Sequence, residues 1–189
     1  MPRHPPRHVR CWRRWCSVLV VSLVATGSGA PVSAAEAPPE ALVKAAIVFN
    51  VLRFVDWADA REAGAPSVRL GVCGDDRIAD ALLALDGRKA GTFSLRVARV
   101  PDAAGADSCD ALYLAAQPAA DRSRRLRAAA ARGVMTFSDA PDFLEEGGMV
   151  QLTVRQERVH IRMVPERLKA ARLRIPAQVL QLVEIVHAR

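Results

Sequence analysis

The residues of this 189-residue chain that could do chemistry are few and scattered. Cys73 and Cys109 could pair or act as thiols, but neither sits in a Cys-x-x-Cys, so thioredoxin-type exchange has no motif behind it. Gly71-Val72-Cys73-Gly74-Asp75-Asp76 resembles a phosphate-cradling turn, yet it lacks the Lys-Ser/Thr of a P-loop and the third glycine of a dinucleotide fingerprint. Its two carboxylates would repel phosphate and suit the positive end of a following helix, so they read as caps. Glu145 and Glu146 are paired acids, but sequence neighbours do not face one another on a helix. With Gly147-Gly148 behind them they read as solvated. Asp139 and Asp142 read as caps of a short helix. His160 alternates with Val159 and Ile161 in a strand, and His187 falls near a helix C-terminus, where a cation is favoured. No Gly-x-Ser-x-Gly elbow and no Cys/His cluster with metal spacing is present. The run Arg122, Arg124, Arg125, Arg127 reads as a solvated helix face, with acidic lipid or an acidic partner as the other reading. This inventory points to no catalytic residue, no metal and no cofactor: a binding protein and not an enzyme.

The elements that must position these residues alternate. Residues 38–57 read as a helix, apolar at Leu42, Ala45, Ala46, Phe49, Leu52 and Val55 and also at Val43, Ile47, Val48, Val51 and Phe54. A helix apolar on so wide an arc is either buried in its own domain or shared with a second chain, and both readings stay open. Beyond a turn at Gly64-Ala65-Pro66, residues 68–73 form a buried strand, 77–85 a helix, 93–100 a strand and 111–115 a strand apolar on both faces. Residues 118–131 form a helix stopped by Gly133, followed by a strand at 134–137 and a short helix at 141–146. Residues 149–155 and 158–163 make a hairpin, and a helix over 176–187 closes the chain. Strands alternating with helices, then a hairpin, predict a single-domain α/β sandwich with a mixed central sheet flanked by helices.

The amino terminus sets the compartment. Residues 1–15 carry five arginines and no acid, an apolar run follows at 18–25, and Val32-Ser33-Ala34-Ala35 supplies small residues. That order reads as a cleaved secretory signal peptide over 1–35, leaving a domain over 36–189. The run is too short to span a bilayer, which needs about 20 residues, and no later segment is apolar enough. Five of the 27 basic residues and none of the 20 acidic ones lie in 1–35, so a chain of net charge +7 becomes a domain of +2. The polyanion footprint leaves with the peptide, and nucleic acid is not a partner. Cys11 and Cys16 leave too; Cys73 and Cys109 remain in an oxidising compartment, where a disulfide is expected and two unpaired buried thiols are the alternative.

Several segments together resemble the YfiR-like periplasmic proteins. Residues 44–57, KAAIVFNVLRFVDW, are similar to that family's K-A-A-F-L-x-N-F-x-K-F-x-x-W opening. Leu70-Gly71-Val72-Cys73-Gly74-Asp75-Asp76, Cys109 with Leu112-Tyr113-Leu114, Thr136-Phe137-Ser138-Asp139 with Phe143 and Gly147-Gly148-Met149, and Leu173-Arg174-Ile175 with 178–182 follow in the family's order. The family's F-E-I-N hairpin end is Ile161-Arg162-Met163-Val164 here, Ala58 replaces its proline after the tryptophan, and Pro176 replaces a serine. The resemblance implies a small periplasmic regulator without catalytic residues. Its best-known member binds the periplasmic part of an inner-membrane diguanylate cyclase and holds it inactive, tuned by dimerisation and a disulfide. Others accompany histidine kinases or outer-membrane receptors.

The expected partner is therefore the periplasmic domain of an inner-membrane signalling protein, engaged by a homodimer that controls cyclic-di-GMP. The expected interface is the exposed side of the opening helix (Asn50, Arg53, Trp57) with the hairpin end (His160, Arg162). A small-ligand receptor is the alternative, its pocket beyond the strand ends at Gly74, Ser138 and Asp139, where open α/β sheets place ligands.

Overall fold

The computed structural model describes residues 39–57, 66–101, 108–115 and 117–188. The signal-peptide segment, Pro38 and the Gly64-Ala65 turn lie outside them.

Among the described residues five helices and eight strands follow in the order α1 (Glu40–Phe54), β1 (Ser67–Cys73), α2 (Arg77–Leu83), β2 (Lys89–Ala90), β3 (Phe93–Arg99), β4 (Ala111–Leu114), α3 (Ala119–Arg132), β5 (Met135–Ser138), β6 (Val150–Arg155), β7 (Arg158–Met163), α4 (Pro165–Ala170), α5 (Ala177–Leu180) and β8 (Glu184–Ile185). The strands form one mixed sheet in the order β2-β3-β1-β4-β5-β6-β7-β8. Strands β3, β1, β4, β5 and β6 are parallel neighbours, while β2 and β7 pair antiparallel at either side and β8 adds a short parallel edge to β7. The chain moves from β1 outward to β3 and then returns past β1 to β4. This doubly wound order puts a topological switch point between the carboxyl ends of β1 and β4.

Alternation in the strands decides what each sheet face carries. Val68, Leu70 and Val72 of β1, Ala111 and Tyr113 of β4, Met135 and Phe137 of β5 and Val150 and Leu152 of β6 face one way, under α1 and α2. Cys73, Leu112 and Leu114 face the other way, under Leu126 and Ala129 of α3 and under Phe143 and Leu144. Right-handed crossovers running in opposite directions from the switch point require helices on opposite faces. Gly133, with φ +69°, ends α3 in the left-handed conformation that glycine adopts without steric cost.

Three of the expected elements needed correction. Helix α1 stops at Phe54 because Val55 turns extended and Asp56 joins a backbone bridge to Arg174. Residues 141–147 are turns and not a helix; the Gln151 amide donates to the Ala140 and Pro141 carbonyls, which a regular helix would use for its own amides. The closing helix over 176–187 is reduced to α5, and Glu184–Ile185 instead add a strand to the open edge of β7, with His187 on Glu166. Helix α4 and strand β2 had no sequence counterpart. Glu184 draws the final segment in by accepting from Arg155 at 3.3 Å and Arg162 at 3.2 Å. These are exposed pairs, worth at most about 1 kcal/mol. Glu184→Ala should therefore leave global stability within about 1 kcal/mol while the Val186 amide, which donates to Met163, exchanges hydrogen much faster. Unchanged exchange at Val186 would show that the ion pairs do not hold the strand.

Candidate functional site

The carboxyl ends of β1, β4 and β5 converge on a polar cluster supplied by four elements. Lys44, one turn into α1, follows the acid Glu40 by four residues, the favourable orientation of such a pair. Its ammonium lies 2.5 Å from Glu40 and donates to Asp139 Oδ2 at 2.9 Å, although the lysine is only 4% exposed. Burial works against this charge, but the hydrogen bonds and charges of Glu40 and Asp139 outweigh it and hold the pKa above the ordinary lysine value. Beside it, Asp76 caps α2 by accepting from the Ala79 N–H at 2.6 Å and accepts from the buried Tyr113 hydroxyl at 3.1 Å. Burial, then the charges of Asp139 and Asp76, push the Tyr113 phenol far above its usual range, so it remains a neutral donor. The Ser138 hydroxyl is buried and fully used: it donates to the Leu114 carbonyl at 2.6 Å and accepts from the Ala140 N–H at 3.1 Å.

Sequence reasoning named three of these positions, Gly74, Ser138 and Asp139, as the rim of a pocket. The structure places all three at the carboxyl ends of the strands. Gly74 turns with φ +92° and offers its carbonyl to Arg99 at 3.2 Å. Asp139 does not cap a helix, as its spacing from Asp142 implied; it is Lys44's partner from 95 residues away. Lys44 and Tyr113 were missed as site residues. Their signal was a lone lysine in an apolar helix and a lone tyrosine in an apolar strand, each needing a polar partner if buried.

Two further charged groups turned out to be internal. Arg122 is 8% exposed and grips Glu146 through two hydrogen bonds of 2.5 Å, while donating to the Gln117 carbonyl at 3.2 Å. The Glu146 hydrogen bond raises the guanidinium's pKa despite the cost of burial. Thus neither the arginine run nor the Glu145-Glu146 pair is wholly solvated: Arg124 and Arg127 are exposed, Arg122 is not. Arg125 lies over Cys73, donating to its sulfur at 3.4 Å and to the Pro101 carbonyl at 2.8 Å.

The expected Cys73–Cys109 disulfide is not formed in this structure, which holds both residues as thiols. The Cys109 sulfur rests against Gly71, two residues before Cys73 on the same sheet face, in space that a β-carbon at Gly71 would take. Burial is the main reason that the Cys109 thiol titrates above its usual value.

The expected interface residues divide. Asn50 and Arg53 are exposed on α1. They line a groove of about 400 Å³ together with Leu42, Ala45, Ala46 and Phe49 of α1, Ala81 of α2 and Leu85 and Arg88 just beyond it. Trp57 is not on that surface: its ring is 7% exposed and its indole N–H donates to the Leu52 carbonyl at 3.0 Å. At the hairpin end His160 is exposed, while Arg162 donates to Gln151 at 2.7 Å and to Glu184.

Among the described residues no helix is long and apolar enough to cross a membrane, and no group of three or more acidic, histidine or cysteine side chains could hold a metal ion. No curated protein matches the sequence. Among solved structures, a conserved domain protein from Vibrio cholerae O1 biovar El Tor is similar in fold, with 13% identity and a TM-score of 0.51 over 79% of this chain and 60% of that one. A domain from Streptococcus pneumonia described as the ABC domain in complex with L-Trp gives 10% identity and a TM-score of 0.49 over 69% and 58%. The chain thus spans about 60% of the length of the solved structures it matches. Residues 41–184, which include Lys44, Asp76, Tyr113 and Asp139, match the YfiR/HmsC-like family of periplasmic regulators of diguanylate cyclases. The chain belongs to the YfiR/HmsC-like family.

Proposed function

We propose that this protein is exported with cleavage of residues 1–35, resides in the periplasm as a homodimer, and represses an inner-membrane diguanylate cyclase by binding its periplasmic part. The match over residues 41–184 carries this reading. The strand-end cluster favours a protein partner over a small ligand, because the Lys44 ammonium and the Tyr113 and Ser138 hydroxyls at the strand ends are already engaged by groups of this chain. Deleting the gene should raise cellular cyclic-di-GMP, and the intact gene should restore it. An unchanged level would overturn cyclase repression, an unprocessed amino terminus in the periplasmic fraction would overturn the cleavage, and absence from that fraction would overturn the export.

In this reading the two cysteines, which share one sheet face, pair in the oxidising periplasm and tie the end of β1 to the start of β4. A disulfide closing a loop of this size constrains the unfolded chain by roughly 3–4.7 kcal/mol on the entropic account. Restoration as Cys73→Ser should therefore repress poorly. A protein isolated from the periplasm without reductant that still titrates with two thiols would remove this part of the proposal.

A further inference from the structure

Helix α1 has two apolar faces. One is buried in the core through Ala45, Val48, Val51 and Leu52. The other remains open: Leu42, Ala46, Phe49, Asn50 and Arg53 fall within an arc of about 100° at 100° per residue. Leu42 is 52% exposed although it is a large apolar side chain. Together with α2 this face forms the apolar groove described above, about 16 Å long at 1.5 Å per residue, enough for three turns of a docked helix. One end of the groove is basic. Arg53 stacks on the Phe54 ring at 5.6 Å and Arg88 on the Phe49 ring at 5.5 Å. Among the described residues neither guanidinium has a carboxylate within ion-pairing distance, unlike Arg69, Arg96, Arg99 and Arg122, each of which has one. Stacking on a ring orients a guanidinium and leaves its N–H edge free to grip a carboxylate.

From this arrangement we infer that the α1–α2 groove docks an amphipathic helix of a protein partner whose apolar stripe lies on Leu42, Ala46 and Phe49 and whose carboxylates meet Arg53 and Arg88. This is the helix-in-groove mode, in which spaced apolar anchors supply affinity and rim charges set direction. A second copy of the chain is the poorer occupant. The acid of α1, Glu40, lies about 120° around the helix from Ala46 and is engaged by Lys44, so a two-fold α1–α1 pairing would set each basic end against a face with no carboxylate.

The inference rests on the chain being a partner-binding regulator, and the test separates the two. A photo-crosslinking phenylalanine derivative is placed at Ala46 in the full chain in its own bacterium, with a control at the exposed Arg127 on α3. The Ala46 probe should give an adduct with a helical segment bearing Asp or Glu, and the Arg127 probe should not. The double variant Arg53→Glu, Arg88→Glu should cut the adduct by at least about tenfold, equivalent to about 1.4 kcal/mol. Changing the partner's carboxylates to arginine should restore it. Among the described residues both arginines lack ion-pair partners, so the double variant should melt within a few degrees of the parent, which separates lost docking from lost folding. An adduct with a second copy, an adduct indifferent to charge reversal, or none would overturn the groove. Unchanged cyclic-di-GMP on deletion, with a charge-sensitive adduct to another membrane protein, would overturn only the cyclase assignment.

Discussion

Lys44→Ala should lower the melting temperature of the purified domain by roughly 6–12 °C, about 3 kcal/mol at 2–4 °C per kcal/mol for a domain of this size. The lysine's removal takes the partner from Asp139 and leaves that carboxylate uncompensated beside the buried Tyr113 and the Asp76 carboxylate, while the exposed Glu40 is met by water. Breaking one side of a buried ion pair costs more than the pair contributes, because a desolvated charge stays behind. Asp139's side chain is 27% exposed, so water meets part of that cost, which keeps the expected loss at the lower end of the range. Lys44→Met retains the buried aliphatic stem and should lose less. The sign with pH follows from the direction of the shift. The folded ammonium binds its proton more tightly than the unfolded one, so its contribution is complete through neutral pH and fades only as pH rises through the lysine range. Thermal denaturation of the three proteins at pH 7 checks this. A loss under about 1 kcal/mol for Lys44→Ala would mean that the cluster is hydrated and contributes little.

Gly148→Ala should be nearly as damaging, through sterics alone. A β-carbon at this position would enter the Phe143 ring, whose Cζ lies 2.6 Å from the site and whose Cε1 and Cδ1 are closer. Phe143 has no exposure and is held among Leu112, Leu114, Leu126 and Leu144, so the ring has nowhere to go. Overpacking of this kind costs about 3 kcal/mol at its upper end. The neighbouring Gly147 makes the control. Its φ is +108°, with nothing within 4 Å of a β-carbon, so Gly147→Ala should cost only backbone strain, about 1 kcal/mol. Adding Phe143→Leu should recover part of the Gly148→Ala loss but not of the Gly147→Ala loss, since residues in contact are coupled and separated ones are not. Urea midpoints of the four variants distinguish these outcomes. Equal losses at the two glycines would refute the clash.

Much of the architecture was legible because it is local. A buried apolar run marked β1, alternation marked β3 and the β6–β7 hairpin, helical spacing marked α1, and Asp76 and Gly133 announced a helix start and a helix stop. Each of these signals is read within a few residues, where a side chain and the backbone it caps or turns are neighbours. The pattern also told that α1 was more apolar than one buried face requires, and left open which surface would use the excess.

The site was legible only as isolated residues. Lys44 and Asp139 are 95 positions apart, Tyr113 and Asp76 37, and Arg122 and Glu146 24. Their meeting depends on the order β1-β4-β5 and on which sheet face each helix covers, and no local period encodes either. The same applies to the final segment, whose helical spacing lost to an open strand edge and two arginines, and to Trp57, whose indole found a carbonyl inside the fold. The sequence by itself determined most of the elements, the compartment expected for them and the family. The tertiary structure alone decided which charges are neutralised inside and which, as at Arg53 and Arg88, have no carboxylate within ion-pairing distance among the described residues, because burial converts a lone charge into a demand for a partner and only the fold says who is near enough to meet it.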